Sequence, residues 1–279
     1  MSEVADSGLF ETASDQEAVE RAAAAAAPTT VERADLAMVQ TLDAPLREPM
    51  FSLLSSLADN KYVLGRRYAE WCTGAPMLES AVAAAAMAQD ELGHARSFYP
   101  LLRGFPNARD VAPMEEKGWQ QRPTTAMRCL DARFDTWSGF VAVNLVVDSA
   151  LTTLLSAAID SPYEPLRQRA RKILQEEAGH WVHAAGWVRR ASANRRDLAA
   201  ALARVWDDAF TWFGLPDDSV VGPLHSGGVL AEGPDGLRKR LRGRLEPLLD
   251  EAGLGEPLFV RSLPWDRWDP RARRLLAFA

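Results

Sequence analysis

A glutamate three residues ahead of a histidine occurs twice in the chain. "QDELGHAR" at 89 to 96 carries Glu91 and His94, and "QEEAGHWV" at 175 to 182 carries Glu177 and His180. The sequence has only four histidines, so half of them follow this pattern, and in both cases the glutamate is itself preceded by an acid, Asp90 or Glu176. Residues i and i+3 share a face of a helix, so each pair turns one carboxylate and one imidazole in the same direction. That is a two-ligand clamp for a metal ion, the alternative being two satisfied core histidines. Oxygen and imidazole donors in this mixture suit iron or manganese, one or two ions, where thiolates would have favoured zinc or an iron–sulfur cluster. Asp90 and Glu176 stand where they could accept from the imidazole of the opposite helix and hold it in its metal-binding tautomer. The alternative for both is plain surface charge. His183 on an adjacent face and His225 in a Gly/Pro-rich loop read as ordinary polar residues.

Two such clamps need a scaffold that turns them toward one interior. Apolar residues recur at three- and four-residue intervals from about Val31 onward, with little strand-like alternation. Pro49 and "TGAP" at 73 to 76 bracket one helix, and Pro76 suits the first turn of the next, expected over 76 to 102. A connector rich in Pro, Gly and charge (105 to 131) leads to an apolar segment at 136 to 159; "DSPYEP" then turns the chain into a helix over 164 to 192. Two long helices, a long crossover and two more long helices give an all-α, ferritin-like four-helix bundle. The expected division is a flexible acidic, alanine-rich tail at 1–30, the bundle at 31–195, and C-terminal helices and tail at 196–279. The last part, with helices at 195 to 213 and 234 to 252, would pack on the bundle or on a partner.

A bundle that grips two ions takes one further carboxylate from each of its other two helices. The third helix offers Asp148, 29 residues before Glu177. The same spacing before Glu91 leads to position 61, which is Lys61. Three outcomes stay open there: a single metal, a two-metal site with rearranged ligands or a neutral lysine ligand, or a metal-free core in which Lys61 neutralises the acids. Burial lowers a lysine pKa while neighbouring carboxylates raise it. A register error of one turn, with Lys61 reaching outward, is a fourth reading. Asp59 and Glu70 are the nearest replacement acids, but neither shares the helical face of position 61.

Composition narrows the partners. The 279 residues are 47% apolar, enough for a substantial core. A net charge of −6 and a pI near 5.4 argue against nucleic acid. The basic run "RKRLRGR" at 238 to 244 reads as the solvated side of a helix, with a bound phosphate as the lesser reading. Cys72 and Cys129 form no metal or disulfide pattern, and a reducing, cytoplasmic setting fits them. The acidic start lacks the basic and apolar regions of a secretory signal, and the alanine-rich run at 81 to 88 is too short to cross a membrane.

"LGRRYAEWCTGAPMLESAV" followed by "AQDELGHAR" resembles the paired ferritin-like subunits of the bacterial phenylacetyl-CoA epoxidase, a multicomponent monooxygenase. Leu64, Gly65, Arg67, Glu70, Trp71, Cys72, Ala75, Pro76, Leu78 and Glu79 are closer to its structural, metal-free component. Gln89 to His94, and the segment from Asp148 to Glu176, Glu177 and His180, are closer to its catalytic component. Similarity runs over roughly 45 to 255, including "RVWDDAF" and "LEPLLDEAGL". The resemblance implies partnership with another ferritin-like subunit or a second copy, and a small-molecule or acyl-CoA substrate. It further implies non-haem iron held by Glu91, His94, Asp148, Glu177 and His180. One oxygen atom of O2 would enter an aromatic ring or alkene and the other leave as water, with electrons from a separate reductase. Lys61, Glu91, Asp148 and Glu177 are then the candidate catalytic groups. The resembled catalytic subunits carry glutamate where Lys61 stands, so three carboxylates and an ammonium replace four carboxylates. The alternative function is a non-catalytic partner subunit of such an enzyme.

Overall fold

The computed structural model describes residues 38–106 and 125–277. The expected tail at 1–30, the expected start near Val31 and most of the connector, 107–124, lie outside the described residues.

The first long helix, α1 (Ala44–Ala69), starts with Pro45 in its first turn, where a missing N–H costs nothing, and ends with Arg66 and Arg67 against the negative end of its dipole. It begins earlier than expected and absorbs Pro49 within its opening turns. From Leu53 to Gly65 every residue of α1 is buried, which makes it the central helix of the bundle. Several of its polar side chains are satisfied internally, while Ser55 Oγ and Tyr68 Oη have no hydrogen-bond partner among the described residues. Asp59 accepts from Tyr99 Oη at 3.2 Å and the Thr125 amide at 2.9 Å, and Asn60 accepts from the Met127 amide at 2.9 Å. These bonds tie the far end of the crossover to the core.

The second helix, α2 (Leu78–Leu102), packs along α1 through a short link. Pro76 lies outside it, because extended Met77 (φ −151°, ψ 157°) is the residue that ends the turn. The third helix, α3 (Trp137–Ser156), is not uniform. It is α-helical over Trp137–Ala142, widens to a π-helix over Val143–Val147, and resumes as α over Asp148–Ser156. Thr136 caps its start by accepting from the Gly139 amide at 3.2 Å. This stretch is long and apolar enough to cross a membrane, yet 89% of its most apolar window is buried inside the protein, so it reads as a core helix. The fourth helix, α4 (Glu164–Arg189), stops three residues short of the expected 192. The fold is all-α and ferritin-like.

After the bundle come α5 (Arg195–Thr211), α6 (Val221–Ser226), α7 (Pro234–Glu251) and α8 (Glu256–Phe259). The short α6 and α8 go beyond what periodicity predicts. So does the hairpin of β1 (Trp268–Asp269) with β2 (Arg274–Leu275), antiparallel with Trp268 opposite Leu275. Strand pairs of two residues leave no periodic trace in sequence. This C-terminal part packs on the bundle, where Trp212 Nε1 donates to Ser56 Oγ at 2.8 Å and α7 touches both α3 and α4. Of the basic run at 238 to 244, Arg240 pairs with Glu232, Arg242 with Glu246, and Arg244 lies over the Trp181 ring. Cys72 and Cys129 are free.

Candidate functional site

One residue from each of α1 and α3 and two from each of α2 and α4 converge in the bundle interior. Lys61 comes from α1, Glu91 and His94 from α2, Asp148 from α3, Glu177 and His180 from α4. All six are buried, none exposing more than 3% of its surface. Gly65, one turn beyond Lys61, lets α1 and α2 close at this level: a Cβ there would stand 2.9 Å from Leu92 Cγ and 3.0 Å from Glu91 Cβ.

Lys61 points inward, contrary to the reading in which it reaches the surface. Its Nζ donates to Glu91 Oε1 at 2.9 Å, to Asp148 Oδ1 at 3.0 Å and to Glu177 Oε1. An ammonium has three donors, and all three are used. Burial alone would lower its pKa, but Asp148, Glu177 and Glu91 together hold it well above the usual lysine value. The same charge works back on the acids. Burial acts to raise Asp148, but Lys61 and the hydrogen bond from His180 hold its carboxyl well below the ordinary range. At Glu91 burial wins over the pull of Lys61 and lifts the pKa well above that range.

The two histidines sit in different environments despite their identical spacing. Nδ1 of His180 lies 2.9 Å from Asp148 Oδ2, 3.3 Å from Glu177 Oε2 and 3.4 Å from Glu91 Oε1, and its Nε2 lies 3.3 Å from Asp90 Oδ2. Burial opposes protonation, but bonds to three carboxylates override it and raise the pKa far above normal, so this ring is an imidazolium. His94 Nε2 meets Glu176 Oε2 at 2.7 Å, and since a carboxylate only accepts, the proton is on Nε2. Its Nδ1 therefore carries a lone pair, and that atom has no hydrogen-bond partner among the described residues. Burial, with the Lys61 charge second, lowers the His94 pKa to about 2, so the ring is neutral. Within the cluster, Glu91 Oε2 is the other such orphan among the described residues. Asp90 and Glu176 thus each lie against the imidazole of the helix opposite their own.

Three neighbours escape the sequence reading. Thr152 Oγ1 donates to the Asp148 carbonyl at 2.9 Å and lies 3.4 Å from Glu177 Oε2, and Asn144 Nδ2 reaches Asp148 Oδ2 at 3.5 Å. Tyr68 stands edge-on to His180, ring centroids 6.5 Å apart. Helical spacing holds the signal, since Asn144 and Thr152 are four residues either side of Asp148, and Tyr68 is two turns beyond Lys61. His183 stands apart from the ligand cluster: Nδ1 faces Asn144 Oδ1 at 3.1 Å, and burial lowers its pKa to about 4. His225 Nδ1 lies 3.1 Å from the Leu230 carbonyl. Asp59 and Glu70 are engaged away from the cluster, Glu70 by Arg67 at 2.7 Å.

Comparison with known proteins identifies the family. A family model described as "phenylacetic acid catabolic protein" matches residues 36–268. The chain belongs to that family. One relative is the C subunit of 1,2-phenylacetyl-CoA epoxidase from Escherichia coli (strain K12). It is 23% identical over 205 residues, covering 72% of this chain and 81% of that protein.

Glu91, Asp148, Glu177 and His180 can each offer a ligand atom within 4.8 Å of the others, so the cluster has the donor types a metal needs. It does not fit a pair of divalent ions. A pair of ions would need all three carboxylates, Glu91, Asp148 and Glu177, as ligands. Here one oxygen of each of the three carboxylates is bonded to Lys61 Nζ. Two divalent ions, the Lys61 ammonium and the His180 imidazolium would set six positive charges against three carboxyl groups in a dry core.

Proposed function

We propose that this chain is a non-catalytic partner subunit of a phenylacetyl-CoA-epoxidase-type monooxygenase. Its own bundle core is closed by Lys61, and oxygen chemistry takes place on a second ferritin-like chain that it binds. The observation that carries this reading is the fully buried Lys61 ammonium, bonded to all three carboxylates that a dinuclear centre would use. The name of the Escherichia coli relative, the C subunit of an epoxidase, supports it. The reaction of the assembly would be oxygen insertion from O2 into an aromatic acyl-CoA, with electrons from a separate reductase, in the cytoplasm.

A second reading, the oxygenase subunit itself, is favoured by retention of both Glu-x-x-His clamps and Asp148 in one buried cluster. It would use iron or manganese on Glu91, His94, Asp148, Glu177 and His180, with Lys61, Glu91, Asp148 and Glu177 in catalytic roles. Anaerobic loading of the purified chain with 57Fe(II), followed by air and Mössbauer spectroscopy, separates the two. The partner-subunit reading expects no spin-coupled diferric pair. A coupled pair on this chain alone, with reductase-dependent oxygenation of phenylacetyl-CoA, would overturn it.

A further inference from the structure

We propose that the acidic segment 1–20 of this chain docks into a groove on its own C-terminal helices, with Phe10 on an aromatic floor and its carboxylates on a basic rim. The groove lies between α5, α7 and α8 and has a volume of about 350 Å³. Its floor is Trp206 and Phe210, stacked with ring centroids 4.4 Å apart, and Phe259, edge-on to Trp206 at 5.5 Å. Arg238, Lys239, Arg242 and Arg261 border it, and no acidic side chain does. Lys239 is exposed and has no partner among the described residues. Arg238 is paired with Asp235, whose side chain is 74% exposed. Water competes for such a pair, so Arg238 can turn to another carboxylate at little cost. Beside the groove, Val260 exposes 80% of its surface. The basic run at 238 to 244 thus contributes a rim to an aromatic floor, and only Arg240 and Arg244 of its arginines face elsewhere.

Charge complementarity selects the occupant. "MSEVADSGLFETASDQEAVE" holds six acids and no lysine or arginine. Residues 21–279 hold the other 32 acids against all 32 lysines and arginines, so the formal charge of −6 resides wholly in this segment. Leu9 and Phe10 stand at its centre between Asp6 and Glu11, an apolar anchor with a carboxylate on either side. An aromatic ring packs edge-on or offset against other rings, and flanking carboxylates meet the cations around them. The tether is long enough. Residues 21–37 span up to about 55 Å at about 3.3 Å per residue, against a diameter of about 45 Å for a folded body of this size. Met38 leads into α1, whose Leu46 abuts Gly227 at the end of α6, where a Cβ would stand 2.6 Å from it. His225 of α6 in turn lies against Gly233, where α7 begins. The starts of α1 and α7 therefore meet at α6, and Arg238 and Lys239 follow within two turns. A tethered segment reaches an effective concentration on the order of 1 mM, so individually weak contacts suffice to hold it. This inference stands apart from the partner-subunit reading, since it involves neither Lys61 nor the acids around it.

The test is zero-length cross-linking of the full-length chain with a water-soluble carbodiimide, which joins a carboxylate to a lysine amine. The chain has only four lysines, of which Lys61 is buried and Lys172, exposed on α4, serves as the internal control. Peptide mass mapping at micromolar protein should find Lys239 joined to Asp6 or Glu11 at least fivefold more often than Lys172 is joined to any acid of 1–20. Phe10→Ala and Arg242→Glu should each lower the Lys239 yield at least threefold. So should 1 M NaCl, which cuts the screening length to about 3 Å. If Arg242→Glu does not fold, Phe10→Ala reads the same contact from the other side. In a mixture of 14N- and 15N-labelled chains the links should stay within one chain. Equal yields at Lys239 and Lys172, or a Lys239 yield unchanged by Phe10→Ala, would overturn the docking. Links that join labelled to unlabelled chains would also overturn it, and would assign the groove to a second copy.

Discussion

Lys61 is a cation held by three acids in a place with no water to share the work. Replacing it with Met, similar in length, would leave Glu91, Asp148 and Glu177 without their common donor, and uncompensated buried charge of this kind costs about 3–5 kcal/mol. Urea unfolding at pH 7 should show a loss of that size for Lys61→Met. A spacing of thirty residues is enough to find this lysine. Its direction is not legible, because burial and carboxylate attraction act on it with opposite sign and only distances decide between them. The same limit applies to the histidines, whose matching motifs conceal one neutral ring and one imidazolium. Asp208 offers a cleaner titration. Burial pushes its carboxyl up to about 6, against the amides of Arg128 and Cys129, the former at 2.9 Å. A raised pKa contributes stability below the unfolded value near 3.9 that is lost as pH rises through about 6. Relative to Asp208→Asn, the wild-type chain should lose roughly 2 kcal/mol between pH 4 and pH 7 in chemical unfolding. A difference that stays flat over that range would show the carboxyl to be solvated.

Helices are the scale at which the sequence is most readable, since three- and four-residue periodicity carries over fifteen or more positions and a single misplaced boundary does not disturb it. Boundaries are harder. Pro49 reads as an edge but lies inside α1, and Pro76 reads as a first turn but lies ahead of Met77, which sets the start of α2. The π-helical stretch before Asp148 has no signal either, as it reflects how α3 fits its neighbours rather than any residue preference. Glycines separate contact from exposure along these helices. Gly65 faces α2 at a point where a methyl group would collide with Leu92 and Glu91, whereas Gly179 in α4 has nothing within 4 Å of that position. Gly65→Ala should therefore destabilise by about 1–3 kcal/mol through forced separation of α1 and α2. Gly179→Ala should stabilise by about 0.5–1 kcal/mol, because alanine is the better helix former where space is free. Thermal melts of both variants should move in opposite directions; a drop for Gly179→Ala in the isolated chain would point to a contact on that face.

Across the whole molecule, the C-terminal part is joined to the bundle by buried polar anchors as well as by apolar area. Within that part Arg273, fully buried, donates its guanidinium to Asp218 at 3.0 and 3.2 Å and to the Trp212 carbonyl at 2.8 Å. Trp212 in turn donates to Ser56 on α1, so the hairpin at the chain's end reaches the central helix in two steps. Sequence shows the Trp- and Pro-rich composition of this region but not its anchor, since an arginine 55 residues from its aspartate has no periodic relation to it. Arg273 also has a φ of 50°, a left-handed conformation that costs a residue with a Cβ about 1–2 kcal/mol. The ion pair holds the backbone there despite that cost. Two substitutions separate the contributions. Arg273→Ala removes the guanidinium, keeps the strained backbone and leaves Asp218 buried with only amide donors, Val220 and Val221, for a loss of about 3–5 kcal/mol. Arg273→Gly removes the same group but is free to adopt positive φ, and should be more stable than Arg273→Ala by about 1 kcal/mol. Equal stabilities in denaturant unfolding would mean that the hairpin backbone relaxes once its anchor is cut. A gap in favour of glycine would mean that bundle and hairpin hold that turn in place even without the charge.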